Sequence, residues 1–324
     1  MPVGRIFLVC AVTALSVGLF GLMFRYAGIG ITDVGRTLNS VPAWAMCAIV
    51  SLTFANQLVG AVRWRAAERW LSPAEQPVEW ATALRTTIWG SFLGQLLPLQ
   101  LAMPLARWAG VRTTRAVGAT LYEQLFDVIL LAASAAAAAL IILLGAPGAI
   151  AIGAFVLAIV FACALMSLLL RFASACAARS AALFPGRKPG SRLKEALRRA
   201  SKAPPPLLAF MSGLAAFRII LMAARTVLVA VIIIPGIDYA IVAVGYPFVG
   251  MALGLPFVPA GLGIADWTLA GLLSLAGATV ASAALATIAL RIVTITAVTV
   301  LLAGSLFLRP MKPASVPALR LHHW

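Results

Sequence analysis

Histidine is almost missing from this sequence. The 324 residues hold only His322 and His323, both at the extreme C-terminus. An internal histidine base or a His-ligated metal is therefore excluded. Cysteine is scarce too. Cys10, Cys47, Cys163 and Cys176 have no metal-like spacing, and three of them fall inside apolar runs. They read as small packing residues, so no metal and no cofactor is expected. Charge is low: 10% of residues are charged and 63% hydrophobic, with a mean hydropathy of +1.04. A soluble domain of this length needs far more polar surface. Acids are rarest of all, 9 against 25 Lys and Arg, for a net charge of +16. On a soluble protein that excess would suggest nucleic acid. Here the basic residues sit between apolar segments, which reads as membrane topology and contact with anionic lipid, with no nucleic-acid partner. No G-x-x-x-x-G-K-[ST] phosphate loop occurs. No polar stretch is long enough for a second domain, so a single transmembrane domain is read over 1–324.

Long apolar runs fill the rest. About 20 apolar residues cross the hydrocarbon as a helix, and barrel strands would alternate in shorter runs. The fold class is all-α, a polytopic transmembrane helical bundle. Runs at 6–24, 42–62, 116–144, 149–170, 206–234, 239–257, 264–276 and 283–308 make about eight spans. The segment 86–106 is apolar but interrupted by Pro98 and Pro104. If it crossed fully, Arg107, Arg112 and Arg115 would change sides. If it dips in and returns, they stay with Arg5, Arg63, Arg65, Arg69 and Arg85 on the cytoplasmic face. The nine Lys and Arg of 171–202 and the basic residues of the tail 309–324 lie there as well. Both termini are then cytoplasmic, and Arg25 and Arg36 are the exceptions outside. The basic loop 171–205 fits either a solvated loop or a helix lying on anionic head groups.

Six ionisable residues lie within or beside apolar segments: Glu123, Asp127, Arg218, Arg225, Asp266 and Arg291. An unpaired charge at mid-bilayer costs about 2.5–3.5 kcal/mol on insertion scales. Glu123 and Asp127 share a helix face, as do Arg218 and Arg225. Both faces should turn to the bundle interior or to a watery cavity. Two readings stay open. The charges are structural ion pairs, or the arginines hold an anionic head group, whose phosphate suits guanidinium forks.

A second broken segment, "GLPFVPAGLGIADW", runs from Gly254 to Trp267 with Pro256, Pro259, Gly261 and Gly263 in it. One proline-broken segment in each half of the chain points to an inverted repeat with a mid-membrane site, and to one or two re-entrant elements. Helix N-termini exposed at such breaks favour anions. Asp266 falls in the first turn of the helix that follows. It reads either as a cap there or as a partner of Arg291 or of a substrate amine.

Five motifs occur in order: "AVRW" at 61–64, the "LLP…R" of 96–107, "YEQLFD" at 122–127, "PAGLGIAD" at 259–266 and "LRI" at 290–292. Together they resemble the flippase-like family typified by the transmembrane region of lysylphosphatidylglycerol synthase, over nearly the whole chain. Where the family has P-G-G-L-G-x-x-E, this chain has Pro259, Ala260, Gly261, Leu262, Gly263 and Asp266. The family's E-R-x-x-D stands here as Glu123, Gln124 and Asp127, without its arginine. Pro104 stands where the family carries an acid, and Arg107 is retained.

The resemblance implies a multi-pass protein of a bacterial-type inner membrane that binds or translocates a lipid with an anionic or modified head group. Arg218, Arg225, Arg107 and Arg291 are the candidate head-group ligands. Glu123, Asp127 and Asp266 are the charge partners, and no catalytic residue is assigned. The synthase's aminoacyl-transferase domain is not expected here. The alternatives are a membrane-embedded lipid-modifying enzyme, for which Glu123 with Asp127 is the clustered acid–base candidate, and a scaffold for envelope-lipid biosynthetic enzymes. Membrane lipids are the expected partners. The lipid, the direction of transport and the oligomeric state are not legible at this stage.

Overall fold

The computed structural model describes residues 3–71, 78–172, 175, 202–254 and 261–307. Pro256 and Pro259, nearly all of the basic loop 171–205 and the tail 309–324 lie outside the described residues. Within them every element is helical. The helices are α1 (Val3–Ala27), α2 (Ile31–Asn39), α3 (Ala43–Leu71), α4 (Trp80–Leu93), α5 (Leu99–Val111) and α6 (Thr114–Leu143) in the first half. The second half holds α7 (Gly148–Ala164), α8 (Met166–Phe172), α9 (Pro205–Ile233), α10 (Tyr239–Leu253), α11 (Ile264–Leu275) and α12 (Val280–Ser305).

Four of these, α3, α6, α9 and α12, are long and apolar enough to cross a membrane alone. The count rises to six if α1 with α2, bent by 85°, and α7 with α8, bent by 66°, each make one span. The chain is thus a multi-pass membrane protein. About eight spans were expected because the segments 239–257 and 264–276 each looked like a crossing. The helices they form hold 15 and 12 residues, and each reaches only about 18–23 Å at ~1.5 Å per residue. They fold back on each other. Gly245 abuts Leu272, Gly261 abuts Leu253, and the open end is tied where Asp238 N donates to Ala276 O at 3.0 Å.

Segment 86–106 does the same. Here α4 and α5 lie antiparallel, with Gly90 against Met103 and Gly110 against Thr86. A Cβ at Gly90 would stand 3.3 Å from the Met103 Cα, so hydrogen at that position lets the two backbones touch. Close approach is the main attraction open to helices in lipid, which offers no hydrophobic drive. The buried surfaces are accordingly rich in alanine, among them Ala45, Ala61, Ala83, Ala116, Ala119, Ala283 and Ala289.

The two hairpins expose a repeat. Each half runs as a bent pair, a long helix, a hairpin and another long helix. The lengths of the last four elements are 29, 14, 13 and 30 residues in the first half and 29, 15, 12 and 26 in the second. Packing follows the same plan: α4 leans on α12 as α10 leans on α6, and α3 meets α12 as α9 meets α6. The long helices α3 and α9 pack antiparallel, since Asn56 meets Arg218 while Arg65 and Arg69 share a cleft with Leu207 and Phe210. The halves are therefore inverted. Their hairpins come from opposite faces, and the tips meet where Gln100 donates to the Gly254 carbonyl.

Candidate functional site

The break between α10 and α11 ends in backbone that only glycine takes readily. Gly261 has φ +64° and Gly263 φ +81°. That turn starts α11 at Ile264 and brings Asp266 into its first turn. The Asp266 carboxylate then does two things. One oxygen accepts from Gly263 N at 2.8 Å, closing the helix start. The pair of oxygens also receives Arg291 from α12, with Nε at 2.9 Å and Nη2 at 2.8 Å. This two-pronged contact is the strongest geometry an arginine offers. Asp266 is 4% exposed, so the pair is well removed from solvent.

The first half builds its counterpart with the signs exchanged, the hairpin supplying the arginine and the following helix the acid. Arg107 on α5 meets Glu123 on α6 at 2.5 Å and stacks over Trp64 at 4.8 Å. Arg63 on α3, wholly buried, meets Asp127 at 2.5 Å and donates to the Glu123 carbonyl at 2.9 Å. Arg218 on α9 closes the network with Asp127 at 2.9 Å and with Asn56 at 3.1 Å through its Nε. Three guanidinium groups thus share two carboxylates across α3, α5, α6 and α9. Buried charges need such pairing, because removing water from each ion is expensive.

Arg225 is different. It lies two turns beyond Arg218 on α9, is 7% exposed and stands beside Tyr246. It has no carboxylate or hydrogen-bond partner among the described residues, and its Nε is buried without an acceptor. It sits the same number of steps into α9 as Arg63 into α3, so the repeat places an arginine at both positions and carboxylates at only one of them.

Between the hairpin tips lies a cavity of about 170 Å³, far above the ~10–15 Å³ that one water needs. Arg218, Arg225, Arg291 and Asp266 line it, with Asn56, Gln57, Ser91, Gln95 and Thr287 among its polar walls. Ser91 donates to Gln57 at 2.7 Å, which pins α4 to α3 along one side. Gly94 and Gln95 come from the first hairpin tip, Leu253 and Ala265 from the second.

The sequence-derived residues therefore divide. Arg218, Arg225, Arg291 and Asp266 come together around the cavity. Arg107, Glu123 and Asp127 form the neighbouring network, where Arg218 links the two. Pro98 starts α5, and Pro104 lies within it. Sequence reasoning placed Arg63 in a cytoplasmic link, whereas α3 continues to Leu71 and buries it. The four-residue motif "AVRW" was the signal that could have found it. The six intramembrane residues alone balance three acids against three arginines; with Arg63 and Arg107 included, five arginines face three carboxylates, an excess of two positive charges. No group of three or more metal-ligating side chains occurs among the described residues.

A search of the curated proteins and of the solved structures finds no match for this chain. The family model described as lysylphosphatidylglycerol synthase TM region matches residues 6–303. A match over most of the chain, joined to two inverted halves closing on a charged hollow, settles the affiliation: this protein belongs to the lysylphosphatidylglycerol synthase transmembrane-region family.

Proposed function

We propose that the protein binds an anionic or modified phospholipid head group in the central cavity and carries it across the membrane. The observation that bears this reading is Arg225, a buried cation aimed into a cavity with no partner among the described residues. A guanidinium kept without a carboxylate inside a membrane is costly, and a phosphate oxygen would offset that cost. Arg218 and Arg291 flank it and already hold acids. A phosphate entering beside Arg225 would therefore add a fourth anionic group where the fixed charge is positive. The acyl chains would stay in lipid while the head group passes between the hairpin tips. Glu123 and Asp127 are both taken up by arginines, which favours a structural role over proton transfer and weighs against the lipid-modifying reading. The distribution of basic residues supports an inner-membrane orientation with both termini cytoplasmic.

Reconstitution with fluorescent phosphatidylglycerol tests the proposal. Wild type should speed head-group crossing over empty liposomes, and Arg225→Met should bring it back towards the empty-liposome rate. Crossing no faster than in empty liposomes, across a panel of anionic lipids, would refute it.

A further inference from the structure

A second cleft lies at the end of the molecule where α3 finishes and α4 and α9 begin. Its volume is about 440 Å³, and it shares no lining residue with the central cavity. Arg65, Arg69, Trp70 and Trp80 form one wall, and Leu207 and Phe210 form the other. The Arg65 guanidinium lies 3.9 Å from the centre of the Trp80 ring, and its Nε is buried without an acceptor. Arg69 is exposed and has no carboxylate partner among the described residues. Glu68, on the same turn, is engaged by other partners. It accepts from Val78 N at 3.1 Å and pairs with Arg115 at 3.4 Å. Trp70 and Trp80 remain 37% and 51% exposed and Phe210 44%, so the cleft opens to the surroundings rather than to the core.

We infer that this cleft is a binding site for an anionic phospholipid of the adjoining leaflet, separate from the cavity and independent of what the cavity carries. The chemistry divides along its length. Tryptophan marks the depth at which head groups meet hydrocarbon. Two arginines at that depth suit a phosphate, and an arginine stacked on an indole loses little freedom when it binds one. Leu207 and Phe210 extend the cleft along α9 into the apolar zone, where an acyl chain would lie. A free anion would fill only the upper part and leave this lower wall bare, so the occupant is a lipid.

Phospholipids brominated on their acyl chains test this, because bromine quenches nearby tryptophan. In phosphatidylcholine nanodiscs, brominated phosphatidylglycerol should quench the full-length protein more than brominated phosphatidylcholine does. Arg65→Gln with Arg69→Gln should lower the relative affinity for phosphatidylglycerol about thirty-fold, the effect expected from two interfacial basic residues. Arg65→Lys with Arg69→Lys should keep most of the preference, and all variants are compared in an Arg225→Gln background, where the head-group arginine of the central cavity is removed. The inference fails if the two lipids quench wild type equally, or if the preference survives the glutamine pair. It also fails if added inorganic phosphate displaces the lipid completely.

Discussion

Arg225 and Arg63 occupy matching places in the repeat and should respond oppositely to the same substitution. Arg63 is held by Asp127 at 2.5 Å and by the Glu123 carbonyl at 2.9 Å. Methionine there leaves two carboxylates with fewer cations, and breaking a buried pair in this way costs about 3–5 kcal/mol. Arg225 has no such contact among the described residues and is 7% exposed. Methionine there removes an unpartnered charge whose burial costs about 2.5–3.5 kcal/mol on insertion scales, and replaces its stem with one of similar bulk. The ligand-free protein should therefore be unchanged or more stable with Arg225→Met, and several kcal/mol less stable with Arg63→Met. Thermal unfolding in neutral phosphatidylcholine, where no anionic lipid supplies a counter-charge, gives the comparison directly. If Arg225→Met lowers the midpoint as far as Arg63→Met, Arg225 has a structural partner and the reasoning collapses.

Asp266→Ala should cost about 3–5 kcal/mol, since it removes the two-pronged carboxylate of Arg291 and the acceptor of Gly263 N together. Adding Arg291→Met should recover more than half of that in the same unfolding assay, whereas simple additivity would mean the two residues are not coupled. Gly90→Leu should splay the first hairpin, because its Cβ would press on the Met103 backbone, at an overpacking cost of about 1–3 kcal/mol. Gly118→Leu, with nothing within 4 Å, should stay within about 0.5 kcal/mol. Equal losses from the two glycine substitutions would show that close packing of α4 on α5 is not what holds the hairpin.

Apolar run length and interrupting prolines made the bundle and its two broken segments legible in the sequence, because both act locally on a helix in lipid. The fold-back of α10 on α11 was not legible that way. Hydropathy measures how far a run could reach, and the turn depends on Gly261 and Gly263 adopting positive φ while Leu272 packs on Gly245. Arg63 was missed for a related reason. A basic residue after an apolar run looks like the end of a span, yet a helix continues if carboxylates wait on its neighbour. Glu123 and Asp127 lie more than fifty residues further on, a separation that no local pattern bridges. Asp266 had two rival sequence readings, and its carboxylate has enough acceptor sites to do both jobs at once.

Two halves of like outline and opposite orientation can in principle trade shapes, each taking up the form the other has just left. Such an exchange would be energetically level only if the halves were equivalent in charge as well. They are not: one contributes two guanidiniums and two acids, the other three guanidiniums and one acid, and its Arg225 is solitary among the described residues. The exchanged form must therefore sit at a different level from the one described, and an anion arriving beside the solitary cation would change the gap between them.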